Sequence, residues 1–108
     1  PHATIRRQRQ MCIRDSHCKD MRKNILDKSL SQDSSFRQAF LDGAFTVPGD
    51  GCIDYKPLLN FLKNINYEGW LVVEAEQDPV KANPLEYAKI GHSYLTNACK
   101  DTGLIITL

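Results

Sequence analysis

The stretch GWLVVEAEQDP, residues 69–79, decides the fold of this chain. Its apolar first half is typical of a buried parallel strand, and acidic residues and a proline follow directly. Because side chains alternate along a strand, Val72, Glu74 and Glu76 share one face. Two carboxylates are therefore expected at the carboxyl end of this strand, which is the end where α/β proteins bind ligands and carry out chemistry.

The stretch His17-Cys18-Lys19-Asp20 is too short to identify itself as a strand, but as a strand it would place His17 and Lys19 on one face and Cys18 on the other. A histidine at a strand end is more often hydrogen-bonded than bound to a metal, so His17 alone does not predict a metal site. For Glu74 alone, a solvated carboxylate is likewise the commoner role.

Helical patterns lie between and after these two strands. A weakly amphipathic helix is predicted for residues 21–30, and a short helix is predicted to follow Ser34 and Ser35. A third helix carries an apolar stripe made of Leu58, Phe61, Leu62 and Ile65. After Pro79, a capping box that begins at Asn83 starts the last helix, in which Gly91 permits a close contact.

The order of strands and helices favours right-handed βαβ units around a parallel sheet. The sequence Val47-Pro48-Gly49-Asp50-Gly51 adds a type II turn with glycine at its third position. Two parallel strands cannot bury the apolar stripes of both flanking helices. The pattern therefore predicts part of a larger α/β domain.

Composition excludes several classes of protein. The chain has 108 residues, 42% of them hydrophobic, and a net charge of +1, so neither a nucleic-acid surface nor a membrane anchor is indicated. The chain has no apolar run of the ~20 residues that span a bilayer and no recognisable secretory signal, so a cytoplasmic location is expected. Four cysteines without C-x-x-C spacing are expected to be reduced thiols.

Residues 1–16 are polar, basic and without a helical or strand period. The part from Arg6 to Ser16 resembles the in-frame translation of a transposase adapter used in preparing sequencing libraries. We therefore predict that 1–16 is a non-native extension, that 17–100 is the folded part, and that 101–108 is an apolar tail with a packing role only.

From His17 to about Lys100 the chain resembles the inosose dehydratases, which act in myo-inositol catabolism and belong to the xylose-isomerase-like barrel superfamily. Four stretches carry this resemblance: HCKD at 17–20, FTVPGDG with IDY at 45–55, YEGWLVVEAEQDP at 67–79 and KANPLEY at 81–87. The turn and the Gly-Trp strand are common to the superfamily, whereas VEAEQDP is more specific for the dehydratases.

The resemblance implies a (β/α)8 TIM barrel of which this chain is the C-terminal portion, about two strand-helix units. It implies that His17 and Glu74 bind a divalent metal, Mn²⁺ or Co²⁺. It also implies that Lys19 and Glu76 either support the metal ligands or contact substrate, with Lys19 as a candidate catalytic residue. Glutathione is implied as a cofactor by the resemblance only.

The implied reaction is dehydration of 2-keto-myo-inositol, a cyclic polyol ketone, to a trihydroxycyclohexane-1,2-dione through an enolate and loss of a β-hydroxyl as water. One alternative is a metal-dependent ketose isomerase or epimerase of the same superfamily. Another is an inactive truncated fragment, the expected state of the isolated chain. Exposed barrel edges would then favour self-association.

Overall fold

The structure is a computed structural model, and it describes residues 15–107. In chain order its elements are β1 (Asp15–Cys18), β2 (Asp20–Met21), α1 (Lys23–Ser31), α2 (Phe36–Leu41), β3 (Phe45–Thr46), α3 (Lys56–Asn64), β4 (Trp70–Val73) and α4 (Pro84–Thr102). The proposed extension lies outside the described residues except for Asp15 and Ser16, which form the start of β1.

β1 and β4 lie side by side as parallel strands, which confirms the predicted pairing. His17 is opposite Val72, and Cys18 is opposite Val73. One further backbone bond extends the ladder, because the Glu74 N–H donates to Cys18 O at 3.1 Å. Both strands end at the same edge, so Lys19 and Glu74 start from neighbouring backbone positions.

β2 and β3 form a small antiparallel pair that the sequence did not predict. Asp20 is opposite Thr46, and Met21 is opposite Phe45. Strands of two residues are too short to show an alternating pattern, so only their tertiary contact reveals them. The pair joins the continuation of β1 to the turn that follows β3.

That turn has the predicted type II form. The Asp50 N–H donates to Val47 O at 3.2 Å, and Gly49 has a φ of +93°. Glycine adopts this backbone conformation without steric cost. The position is also crowded, because a Cβ on Gly49 would lie 2.7 Å from the Cβ of Tyr94.

The core lies between the β1–β4 pair and the two helices α3 and α4. It consists of Cys18, Tyr55, Leu59, Leu62, Leu95, Ala98 and Cys99. The predicted stripe on α3 was wrong in part, because the helix buries Leu59 and Leu62. Apolar residues occur around most of this helix, so its sequence pattern cannot specify which arc faces the core. The other predicted stripe residues are 46–58% exposed: Leu58, Phe61 and Ile65.

α4 begins as its capping sequence predicted. The Asn83 side-chain oxygen accepts hydrogen bonds from the N–H groups of Leu85 at 3.0 Å and Glu86 at 3.2 Å. The helix ends at Gly103, whose φ of +81° is typical of a left-handed C-cap. In residues 15–107, no helix combines the length and apolarity required to cross a bilayer.

Candidate active site at the strand ends

His17 and Glu74 meet at the common edge of β1 and β4. The Nδ1 atom of His17 lies 2.6 Å from Oε2 of Glu74. The imidazole is 52% exposed and the carboxylate 37% exposed, so both groups are accessible from solvent. The structure thus brings together the two residues predicted as metal ligands, although they are 57 positions apart in the chain.

Lys19 continues this cluster on the other side of Glu74. Its Nζ atom lies 3.3 Å from Oε1 of Glu74 and 3.1 Å from Oε1 of Glu76. Glu74 is therefore shared, with one oxygen facing His17 and the other facing Lys19. The side chains predicted to bind metal and substrate form one continuous polar group at this edge.

Asp15 also belongs to the cluster, and the sequence analysis missed it. Its Oδ2 atom lies 3.3 Å from Nε2 of His17. The two residues are two positions apart on β1, so they share a face of the strand. That spacing is visible in the sequence, but Asp15 falls within residues 1–16, which the sequence predicts to be a non-native extension.

The hydrogen bonds indicate a charged histidine. Both ring nitrogens face carboxylate oxygens, which only accept, so both nitrogens donate, and this requires the imidazolium form. Accordingly the pKa of His17 is raised, first by its hydrogen bond to Glu74 and then by that to Asp15. The pKa of Glu74 is lowered by the hydrogen bonds from His17 and Lys19. The pKa of Lys19 is raised by Glu76 and then Glu74, so each shift favours the charged form.

The donor atoms fit a divalent cation of borderline hardness, because an imidazole nitrogen and a carboxylate oxygen converge on the same space. Within residues 15–107, however, no group of three or more His, Cys, Asp or Glu side chains is arranged to hold a metal ion. His17 and Glu74 would thus need further ligands from outside the described residues to hold a metal ion. Metal binding through Nδ1 would also require loss of the proton that this nitrogen shares with Glu74.

Two buried residues that the sequence analysis did not single out support this edge from below. Tyr55 OH donates to Lys19 O at 2.5 Å. The carboxylate of Asp20, which is 0% exposed, accepts through Oδ1 from the N–H groups of Met21 at 2.7 Å and Ile53 at 3.0 Å. A Cβ on Gly51 would lie 2.2 Å from Asp20 Oδ1, so only glycine fits there. These contacts fix the 47–53 loop to the end of β1.

Comparison with known protein families shows the class of protein to which this chain belongs. The model of the xylose isomerase-like TIM barrel family matches residues 5–107. The chain therefore belongs to this family, in agreement with the α/β fold and with a polar cluster at the carboxyl ends of parallel strands.

Particular relatives are more specific. The chain is 47% identical over 100 residues to an inosose dehydratase of Bacillus velezensis, which covers 93% of this chain and 34% of the relative. It is 55% identical over 83 residues to an inosose dehydratase of Bacillus licheniformis, covering 77% and 28% respectively. It is 46% identical over 99 residues to the rhizopine catabolism protein MocC of Rhizobium meliloti, covering 86% and 30%. The chain spans about a third of the length of these curated relatives.

Proposed function

We propose that this chain is the C-terminal portion, about two strand-helix units, of a TIM-barrel hydro-lyase that converts 2-keto-myo-inositol to a trihydroxycyclohexane-1,2-dione. The observation that carries the proposal is the 2.6 Å contact between His17 Nδ1 and Glu74 Oε2 at the ends of neighbouring parallel strands. The similarity to inosose dehydratases supports the choice of substrate.

In this proposal His17 and Glu74 hold a divalent metal, Mn²⁺ or Co²⁺, together with ligands from outside residues 15–107. When bound, such a metal supplies Lewis-acid polarisation of the substrate ketone. Asp15 accepts from Nε2 of His17 and so orients the imidazole, in the way that carboxylates commonly orient histidine ligands. The family resemblance further suggests glutathione as a cofactor.

Lys19 is the proposed catalytic and substrate-contacting residue, and Glu76 holds its ammonium group in place. Elimination removes the proton α to the ketone, and the β-hydroxyl takes up a proton and leaves as water, so protons balance. Because the pKa of Lys19 is raised by its two carboxylate partners, this residue keeps its proton at neutral pH. Its role is therefore to donate a hydrogen bond to a substrate oxygen as negative charge develops there, and not to act as the base.

The proposal is tested with the full-length enzyme and 2-keto-myo-inositol, by mass spectrometry for a product lighter by one water. We expect turnover with Mn²⁺ or Co²⁺, and losses of at least about 100-fold in His17→Ala and Glu74→Gln, as is typical when a group that supports the transition state is removed. The matched control is Lys23→Gln, at an exposed pair on α1. Unchanged turnover in both site variants would refute the assignment.

An isomerase or epimerase is the second candidate, because the family that matches this chain is described as xylose isomerase-like. The same assay separates the two reactions. Isomerisation or epimerisation leaves the mass of the substrate unchanged, whereas dehydration lowers it.

The 108-residue chain by itself is proposed to be inactive, since its described part provides only a partial ligand set. Isothermal titration of this chain with Mn²⁺ is expected to give no heat of specific binding. Micromolar binding that is lost in Glu74→Gln would show that the isolated chain has a metal site of its own.

A further inference from the structure

The Arg22 side chain connects three parts of the chain beside the candidate active site. Its Nη1 atom donates to Gly43 O at 2.8 Å. Its Nη2 atom lies 2.7 Å from Asp50 Oδ2, 3.2 Å from Thr46 Oγ1 and 3.3 Å from Tyr87 OH. The guanidinium group therefore joins β3, the type II turn and α4.

The hydroxyl of Thr46 relays this network toward the active site. Thr46 is completely buried, and its Oγ1 donates to Asp50 Oδ2 at 2.7 Å. Because its single proton is used there, the lone pairs of Oγ1 are available to Arg22 Nη2 and to Gln77 Nε2, which lies 3.3 Å away. The hydroxyl thus donates one hydrogen bond and accepts two, and these three bonds fix its orientation.

Gln77 directly follows Glu76 in a segment, residues 74–78, that is neither helix nor strand. The first residue of this segment is held by the bond from Glu74 N–H to Cys18 O. At its other end Asp78 O accepts from Lys81 N and Ala82 N. Between these ends, the bond from Gln77 to Thr46 ties the segment to β3.

We propose that Arg22, Thr46 and Gln77 are positioning residues that hold Glu76, and through Glu76 the ammonium group of Lys19, in place at the active site. None of the three residues contacts the Lys19 ammonium group among the described contacts, so they act through the segment that carries Glu76. The effect on turnover rests on the proposed function, whereas the effect on local order does not.

The test uses the full-length enzyme and the matched pair Thr46→Val and Thr46→Ser. Valine has nearly the shape of threonine but lacks the hydroxyl, and serine retains it. Gln77→Met is a second variant that removes the last link without altering a fully buried residue. Lys23→Gln is the control for a polar change elsewhere.

Hydrogen exchange of the backbone amides in residues 74–78 is the first measurement. We expect exchange to be faster by about fivefold to tenfold in Thr46→Val and Gln77→Met, the effect of losing one hydrogen bond. Thr46→Ser and the control should stay within about twofold of the wild type. Equal exchange in the valine and serine variants would overturn the proposal. If Thr46→Val does not fold, Gln77→Met decides: faster exchange supports the proposal and unchanged exchange refutes it.

Kinetics with 2-keto-myo-inositol form the second measurement. We expect kcat to fall about tenfold in Thr46→Val and Gln77→Met with a smaller change in KM, because Lys19 acts on charge that develops during the reaction. Thr46→Ser should restore kcat. Faster exchange with unchanged kcat would refute the catalytic part of the proposal. A third outcome is that the variants exchange faster but the wild-type enzyme does not convert this substrate. That outcome would refute the proposed function and leave the positioning role intact.

Discussion

Gly91 of α4 lies so close to Val73 of β4 that a Cβ on Gly91 would be 2.6 Å from Val73 Cγ1 and 3.2 Å from Val47 Cβ. The backbone of α4 therefore packs directly against the side chain of Val73, the last residue of β4 and the neighbour of Glu74. This close contact sets the distance between α4 and the carboxyl end of β4.

Gly91→Ala is expected to destabilise the protein. Overpacking costs about 1–3 kcal/mol, and the better helix propensity of alanine returns at most about 1 kcal/mol, so we expect a net loss of about 1 kcal/mol in urea unfolding. Asn97→Ala on the exposed face of α4 is the matched control, because it changes propensity without adding a clash. A more stable Gly91→Ala variant would show that helix and strand separate easily.

The His17–Glu74 pair should give a pH-dependent contribution to stability. The pKa of His17 is raised above 6.5, so its contribution is complete below pH 6.5 and is lost as pH rises through the folded-state pKa. The pKa of Glu74 is lowered from 4.5, so its contribution is complete above pH 4.5 and is lost as pH falls through the folded-state pKa. The pair therefore makes its full contribution to the stability of the fold between about pH 4.5 and 6.5.

This effect is measured by NMR titration of the His17 imidazole in the presence of a chelator. Glu74→Gln should lower the pKa of His17, because the main hydrogen bond that raises it is weakened. Glu86→Gln, at the first turn of α4, is the control and should leave the titration of His17 unchanged. The same His17 curve in both variants would mean that the contact does not persist in solution.

The cysteines should differ sharply in reactivity. Burial and the nearby Cys99 raise the pKa of Cys18 to about 11, and burial raises the pKa of Cys99. Cys52 is exposed. In a Cys12→Ser background, we expect a disulfide reagent to modify Cys52 at once and the other two thiols only after unfolding in urea. Rapid modification of all three in the native protein would contradict the core assigned here.

The isolated chain is expected to self-associate through an apolar groove of about 300 Å³ beside β4. Trp70 is 68% exposed and Ile105 is 91% exposed at this groove, and within the described residues β4 pairs with a strand on one edge only. Sedimentation velocity should show association that Trp70→Gln reduces. Leu30→Gln, an equally exposed apolar residue on α1, is the control. A monomer at all concentrations would refute this prediction.

Structural features that depend on residues close together in the sequence were predictable from it. The apolar run before Glu74 predicted a parallel strand, Pro48-Gly49 predicted a type II turn, and Asn83 predicted the start of α4. Each of these rests on backbone preferences or on hydrogen bonds that span a few residues. The face of α3 was not predictable in this way, because its apolar residues surround the helix and only contact with α4 selects Leu59 and Leu62.

The sequence by itself indicated four of the chemical groups at the site, an imidazole, an ammonium group and two carboxylates at the ends of two strands, but not the carboxylate of Asp15. Only the tertiary structure decided that Glu74 is shared by His17 and Lys19, that Asp15 joins them, and that Thr46 reaches Gln77. The reason is that His17 and Lys19 contact carboxylates 57 positions away, and those distances follow from the register of β1 against β4. The contact between Thr46 and Gln77 joins residues 31 positions apart and depends on the position of β3 beside residues 74–78.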